Sequence, residues 1–317
     1  MSVELSILDT TLRDGEQGEG ISFTVDDKLK ITQLLDELGV HYIEGGWPGS
    51  NPKAAQYFSR VRELNLTTSK IAAFGSTRHP KFTASEDPNL NALVTCRPDT
   101  SVIVGKTWDF HVTHALKISL DQNLDLIRDS IQYLKSHGHH VIFDAEHFFD
   151  GYQKNPEYAL SCLQTAQESG ADILCLCDTN GGTIFSTVST VVQDVSQHTH
   201  VPIGIHAHND TGLGVANSIA AVESGAMHVQ GTINGYGERC GNANLTSIIP
   251  ILSLKKSIPC ISDSKLKSLT SISRQIAEIA NMTPVQSQPF VGKSAFAHKG
   301  GIHVSAIMSN PETYEHI

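Results

Sequence analysis

Long apolar runs are missing from these 317 residues. None approaches the roughly 20 residues that a membrane-crossing helix requires. Clusters of Lys and Arg are missing too. Lys+Arg 23 against Asp+Glu 33 leaves a formal net charge of −10. An acidic chain without a basic stripe is not built for nucleic acid or an anionic membrane surface. Cysteines are few: Cys96, Cys162, Cys175, Cys177, Cys240 and Cys260 form no CxxC pair and are too sparse for a disulfide scaffold. Reduced thiols in a cytoplasmic protein are therefore expected, with Cys175 and Cys177 sharing one face of a buried strand. No low-complexity segment and no P-loop pattern occurs. The first residues carry Glu4 and run straight into a strand, so no signal peptide is expected.

What is present is a 39% hydrophobic composition, enough for a full-size core. Strand-like runs at 5–10, 42–44, 71–74, 101–104, 140–145, 173–177, 203–208 and 228–232 alternate with helical patterns. The helices are expected at 25–38, 52–64, 89–94, 120–136, 156–168, 184–197, 213–224 and 245–254. In the first, Leu29, Leu34, Leu35 and Leu38 share a face and Gly39 is the stop. Alternation of this kind means parallel strands with crossover helices. Eight units predict an α/β fold, a closed (β/α)8 barrel over 1–260. From 261 the pattern changes to an amphipathic helix at 266–280, a connector and a final segment, read as a small helical appendage over 261–317.

One stretch at 203–209, Ile-Gly-Ile-His-Ala-His-Asn, organises the rest. His206 and His208 are two apart at a strand end, so both rings face one side. A divalent metal needs such a pair plus a carboxylate; the plainer reading is two core histidines satisfied by hydrogen bonds. Barrel chemistry gathers at the C-terminal ends of strands, and polar clusters recur there: 9–17, 144–147, 178–182, 206–208 and 234–242. Asp14 is the natural carboxylate for a His2Asp set. That donor mix suits Zn, Mn, Fe or Co and leaves open positions for Lewis-acid chemistry. Asn242 either adds a carbonyl ligand or caps a helix. Arg13 offers a fixed positive fork for an oxyanion or a carboxylate, or else a structural ion pair with Glu44 or Glu238. Glu146 is a candidate base, or the orienter of one, against the alternative of a surface-loop carboxylate.

Leu12-Arg13-Asp14-Gly15-x-Gln17 followed after ten residues by Lys28 resembles a signature of the α-isopropylmalate, homocitrate and citramalate synthases. So does His206-x-His208-Asn209-Asp210-x-Gly212-x-Gly214. Asn234-Gly-x-Gly237-Glu238-Arg239-x-Gly241-Asn242 is similar to a third element, and Ala297-His298-Lys-Gly-Gly301-Ile302-His303 resembles a fourth, beyond the barrel. These metal-dependent Claisen-condensing barrels include hydroxymethylglutaryl-CoA lyase. The stretches at 44–52, 108–111 and 143–151 look most like the citramalate synthase branch.

The resemblance implies a reaction. A 2-oxo acid, pyruvate on this reading, chelates a divalent metal (Mn2+, Mg2+ or Zn2+). Acetyl-CoA as co-substrate loses a methyl proton, its enolate attacks the keto carbon, and hydrolysis gives (R)-citramalate and CoA. By analogy Thr179 holds the substrate carboxylate, Arg13 steadies the alkoxide, and Glu146 and His303 serve proton transfer. His303 reaches the site from a neighbouring subunit if the chain is a homodimer, as the family implies. Gly235, Gly237 and Gly241 would let backbone approach CoA closely. Two departures stand out. Family members continue into a further linker subdomain and a regulatory domain, so a chain ending at Ile317 is expected to lack feedback and to turn over weakly. Asp178-Thr-Asn180-Gly-Gly also departs from the isopropylmalate synthase pattern. A carbon–carbon lyase and a non-catalytic remnant are the competing expectations.

Overall fold

A computed structural model describes residues 5–297 together with 305, 308–310 and 313. In chain order its main elements are β1 (Ser6–Asp9), α1 (Val25–Leu38), β2 (Tyr42–Glu44), α2 (Pro52–Arg60), β3 (Lys70–Ser76), α3 (Pro88–Cys96), β4 (Thr100–Lys106), α4 (Asp109–His111) and α5 (Leu120–Ser136). There follow β5 (His140–Glu146), α6 (Phe148–Lys154), α7 (Pro156–Glu168), β6 (Ile173–Asp178), α8 (Phe185–His198), β7 (Ile203–Ala207), α9 (Gly214–Glu223), β8 (His228–Gly231), α10 (Leu245–Pro250), α11 (Asp263–Leu266) and α12 (Leu269–Ile279). The eight strands close in sequence order, all parallel, and β8 seals against β1 from Ser6↔His228 to Asp9↔Gly231. The expected (β/α)8 barrel is the fold.

Local chemistry explains where the helices start. Thr24 and Asp27 form a reciprocal capping box on α1, and Ser119 and Gln122 do so on α5. Asn51, Asp87 and Asn155 cap α2, α3 and α7, each with proline in the first turn. Gly39, at φ 89°, ends α1.

Period-two alternation divides the barrel interior into layers. Leu8, Ala72, Val102, Ile142, Ile173 and Cys175 form a buried cluster of their own. Two residues further along their strands, toward the C-terminal ends, Val104, Asp144 and Cys177 occupy the same inward face. Glu44, His206 and Gln230 lie buried at this upper level. The lower layer is apolar packing, whereas the upper layer gathers the polar side chains of Glu44, Asp144, His206 and Gln230.

Four local differences from the sequence reading have physical causes. β7 stops at Ala207, because His208 leaves the ladder to bridge Asn242 in the loop after β8. An unexpected helix, α6, follows β5 directly. Its glycine packs against β4's exit, where a Cβ on Gly151 would stand 2.7 Å from Thr107 O. The helix expected to 254 becomes α10 plus a π-turn, Ile251–Lys255, just after Pro250, which has no N–H to give. The helix expected at 266–280 is split into α11 and α12.

Leu269, Ile272 and Ile276 of α12 share the main hydrophobic cluster with the barrel helices. Ser273 Oγ donates to Asn234 Oδ1 at 2.6 Å, tying α12 to the loop after β8. Among the described residues, no helix is long and apolar enough to cross a membrane.

Candidate functional site

The loop leaving β1 is wound tightly on itself. Arg13, Asp14 and Gly15 all direct their backbone N–H toward Thr10 O, at 3.1, 2.9 and 3.0 Å. Asp9 accepts from Thr11 N and Thr11 Oγ1. The buried ammonium of Lys28, on α1, clamps the loop from below. It donates to Leu12 O at 2.7 Å and Gly45 O at 3.2 Å, and pairs with Glu16 Oε2 at 2.7 Å. Lys28, the lysine that follows Gln17 after ten residues, thus braces the loop that carries Arg13 and Asp14. The clamp delivers Arg13 and Asp14 to the mouth of the barrel.

Arg13 is held from three sides. Its Nε donates to Glu44 Oε2 at 2.6 Å, its Nη1 donates to Asp14 Oδ2 at 2.9 Å, and its guanidinium carbon lies 4.0 Å from the Phe74 ring centroid. Burial works against the charge, but Glu44, Asp14 and Asp144 outweigh it and keep the group protonated. The structural ion pair expected with Glu44 or Glu238 is thus present with Glu44.

His206 on β7 and His208 just past its end bring their ring centroids to 5.1 Å. His206 Nε2 stands 3.5 Å from Asp14 Oδ2. One ligand atom each from Asp14, His206 and His208 lie within 4.8 Å of one another, and all three residues are buried. Asn242 Nδ2 is 3.3 Å from Asp14 Oδ1. Two buried atoms here have no hydrogen-bond partner among the described residues: His208 Nδ1 and Asn242 Oδ1. Buried polar atoms are seldom left so. Burial, with His206 beside it, pushes His208 down to about 4, so the ring is neutral near pH 7. Burial would raise Asp14, but Arg13, His206 and His208 prevail and hold it at about 2. Two imidazoles, that of His208 neutral, an ionised carboxylate and an unpartnered amide oxygen are the chemistry a divalent cation requires. The residues fit one.

Around this cluster lies a basin of about 280 Å³, bordered by Arg13, Asp14, Glu146, Thr179, His206 and His208 among others. A larger cavity of about 530 Å³ adjoins it, and the two share Val104 and Glu146. Glu146 is therefore a wall residue between two spaces, not a surface-loop carboxylate, and it pairs with Lys106 at the end of β4. Thr179 Oγ1 accepts from His147 N at 2.8 Å, which leaves its own hydrogen free to donate.

The three glycines have an intra-loop reason. Gly235, Gly237 and Gly241 have φ of 71°, 155° and 88°. A Cβ on Gly237 would fall 2.2 Å from Asn242 Nδ2, and one on Gly241 2.0 Å from Gly235 O. Their absence of side chain makes room for the loop that carries Asn242, and none of the three borders the 280 Å³ basin. His303 lies outside the described residues.

Asp144, Cys175 and Cys177 form a second close group, and Asp144 and Cys177 border the same basin as the first. Burial pushes the Cys175 thiol far up, and a protonated thiol is a poor ligand, which agrees with the structural role expected for this pair. Sequence reading missed Gln230. His206 Nδ1 and Gln230 Oε1 are 2.8 Å apart, and Gln230 Nε2 donates to Asp144 Oδ1 at 2.9 Å. Nothing along β8 marks that residue; only the register of three strands reveals it.

The model of the family described as HMGL-like matches residues 4–276, and one described as homocitrate synthase post-HMGL domain-like matches 290–317. An (R)-citramalate synthase of Geobacter sulfurreducens is 56% identical over 99% of this chain and 59% of its own length. The chain thus spans about three fifths of the length of that relative. A homocitrate synthase, AksA, of Methanopyrus kandleri is 36% identical over 99% of this chain and 76% of its own. Among solved structures, an HMG-CoA lyase of Acinetobacter baumannii in complex with coenzyme A and 3-methylmalate superposes with a TM-score of 0.75 at 18% identity. It covers 95% of this chain and 99% of that one, a likeness of fold. With the barrel closed, the acid and two histidines gathered at its mouth, and the family model running along nearly all of it, this chain belongs to the HMGL-like family.

Proposed function

We propose that the chain is the catalytic barrel, 1–260, with an appended segment, 261–317, of an acetyl-CoA-dependent acyltransferase that condenses acetyl-CoA with pyruvate to (R)-citramalate. The observation that carries the reading is the convergence of Asp14, His206 and His208 within 4.8 Å beside Arg13. Pyruvate is preferred over other 2-oxo acids because identity to the citramalate synthase exceeds identity to the homocitrate synthase, 56% against 36%.

Asp14, His206 and His208 would hold a divalent ion (Mn2+, Mg2+ or Zn2+), with Asn242 Oδ1 as a further oxygen. Bound there, such an ion supplies Lewis-acid stabilisation of charge on a keto oxygen. Thr179 donates to the 2-oxo acid's carboxylate, and Arg13 turns its remaining N–H groups toward the oxygen on which charge develops. Glu146 stands where the two cavities meet. In that position it takes the methyl proton of acetyl-CoA, whose thioester occupies the larger space. The methyl carbon bonds to the keto carbon, the alkoxide collects a proton, and water cleaves the thioester to citramalate and the CoA thiol. His303 assists from the appended segment, and the active form is a homodimer.

CoA thiol release tests this directly, using acetyl-CoA with pyruvate, 2-oxoisovalerate or 2-oxoglutarate, with and without chelator. Release with pyruvate alone, abolished by chelator, is expected. Release with 2-oxoisovalerate would make the chain an isopropylmalate synthase, and with 2-oxoglutarate a homocitrate synthase. Calorimetric pyruvate binding without turnover would make it a remnant.

A further inference from the structure

The inner end of His206 is the part of the site that the reaction above leaves unused. Its Nε2 faces Asp14 at 3.5 Å, while its Nδ1 faces away, down into the barrel, 2.8 Å from Gln230 Oε1. A neutral imidazole has one N–H and one lone pair. Whichever nitrogen carries the hydrogen decides whether Nε2 can ligate at all.

Three observations settle which way the Gln230 amide points. First, its nitrogen lies 2.9 Å from Asp144 Oδ1, and a carboxylate oxygen only accepts. Second, the same nitrogen lies 3.5 Å from His228 Nε2. His228 Nδ1 stands 2.8 Å from Ser6 Oγ, and that hydroxyl has Met227 O at 3.3 Å to receive its own hydrogen. The ring can then give its hydrogen to Ser6 and keep a lone pair for Gln230. Third, a flipped amide would set its oxygen against the Asp144 carboxylate in a fully dry place: Gln230 is 0% and Asp144 3% exposed. An unrelieved buried repulsion of that kind is costly. The amide oxygen therefore faces His206, and an oxygen there requires a hydrogen on Nδ1.

We propose that Gln230, itself oriented by Asp144, is a positioning residue that locks His206 in the Nδ1–H form and so presents the Nε2 lone pair to the cation beside Asp14. The chain of contacts runs from β5 to β8 to β7, using a side chain from each strand's inward face. It does for an inner ligand what outer-shell partners do for metal-binding histidines generally. Being made of strands and not loops, it is in place before any ion arrives. It rests on the reading of Asp14, His206 and His208 as ligands, but its core statement concerns one hydrogen and can be examined without metal.

Histidine-selective 15N spectra of the metal-free chain give the tautomer, and titration with Zn2+ or Mn2+ alone against a competing chelator gives affinity. The native chain is expected to show Nδ1–H at His206. Gln230→Met should move the tautomer toward Nε2–H or a mixture and weaken ion binding 10–100-fold, the usual loss for such a partner. The isosteric exchange Gln230→Glu with Asp144→Asn reverses donor and acceptor between the two side chains yet still puts an acceptor on Nδ1. It should restore both tautomer and affinity to within about threefold. Because each substitution conserves shape, this rescue separates positioning from packing, even if Gln230→Met folds poorly. Nε2–H in the native chain overturns the proposal. So does a Gln230→Met chain that keeps both the tautomer and the affinity, or failure of the exchange to rescue in a folded protein. A native chain with Nδ1–H that takes up no ion would instead overturn the metal reading and leave the tautomer assignment standing.

Discussion

Glu44 Oε2 receives two hydrogen bonds of 2.6 Å, one from Arg13 Nε and one from Thr10 Oγ1, while Glu44 Oε1 has no partner among the described residues. Glu44 is fully buried, and Arg13 is the cation paired with it. Removing that partner leaves an uncompensated buried carboxylate, which typically costs about 3–5 kcal/mol. Arg13→Met should therefore lower stability to urea by about 3 kcal/mol as well as abolish turnover. The double change Arg13→Met with Glu44→Gln should recover much of the stability and none of the turnover. Equal losses in single and double variants would mean the pair is not coupled.

Metal and rate should separate cleanly between two other residues. His206→Ala removes a candidate ligand and should abolish ion retention after gel filtration. Glu146→Gln leaves all three ligand side chains in place and should retain the ion while thiol release falls about 10²–10⁴-fold, the usual range for a general base. Elemental analysis beside the thiol assay reads both. Normal rate and normal ion content in both variants would remove the assignment.

An ion that binds only the folded chain must stabilise it by mass action. At 100 times its dissociation constant the gain is about 2.7 kcal/mol. Thermal unfolding with and without chelator should show a matching drop in Tm for the native chain and none for His208→Ala. The native shift should grow with the logarithm of ion concentration. A chelator effect surviving in His208→Ala would place the ion elsewhere.

The pH dependence of stability should carry the mark of Asp9. Burial pushes this carboxyl up to about 7 against the pull of its Thr11 hydrogen bonds, whereas in an unfolded chain it titrates near about 3.9. Below pH ~4 both states are protonated and the residue is neutral toward stability. Between ~4 and ~7 the unfolded chain has released its proton and the folded one has not, so stability falls as pH rises; above ~7 the penalty is constant. The difference in unfolding free energy between native and Asp9→Asn should be flat at both ends and slope against the native chain in between. A slope of opposite sign would show that Thr11 outweighs burial.

Much of this was legible in the sequence because it is encoded locally. Helix starts carry their own caps, as at Thr24 and Ser119, and two histidines at i and i+2 face together in any strand. What escaped depends on side chains meeting across strands. Gln230 reads as one more strand residue until β5, β7 and β8 are set side by side. Glu146 reads as a candidate base or a loop carboxylate, and only the cavities on either side of it place it in the wall between them. The helix α6 is unexpected after β5, and the contact of its Gly151 with Thr107 is tertiary. Donor type pairs Asp14 with His206 in the sequence, but their 3.5 Å approach is a contact between the β1 loop and β7 that only the fold shows.

Gly237 distinguishes two accounts of its loop. If glycine is there so that backbone can approach CoA, Gly237→Ala should raise the KM for acetyl-CoA and leave the ion untouched. The packing argues differently. At φ 155° an alanine is strained, and its Cβ would fall 2.2 Å from Asn242 Nδ2. That amide is the group lying 3.3 Å from Asp14 Oδ1, so the clash is relieved by pushing Asn242 off the carboxylate or by shifting the whole Tyr236–Asn242 segment. Either movement disturbs the acid that pairs with His206. Gly237→Ala is therefore expected to weaken Zn2+ or Mn2+ binding at least tenfold, with CoA affinity, measured by calorimetry without the 2-oxo acid, changed less than threefold. Asn242→Ala placed on the Gly237→Ala background removes the atom that clashes, and should return part of the lost stability but none of the ion affinity. A selective loss of CoA binding would instead assign the loop to the thioester.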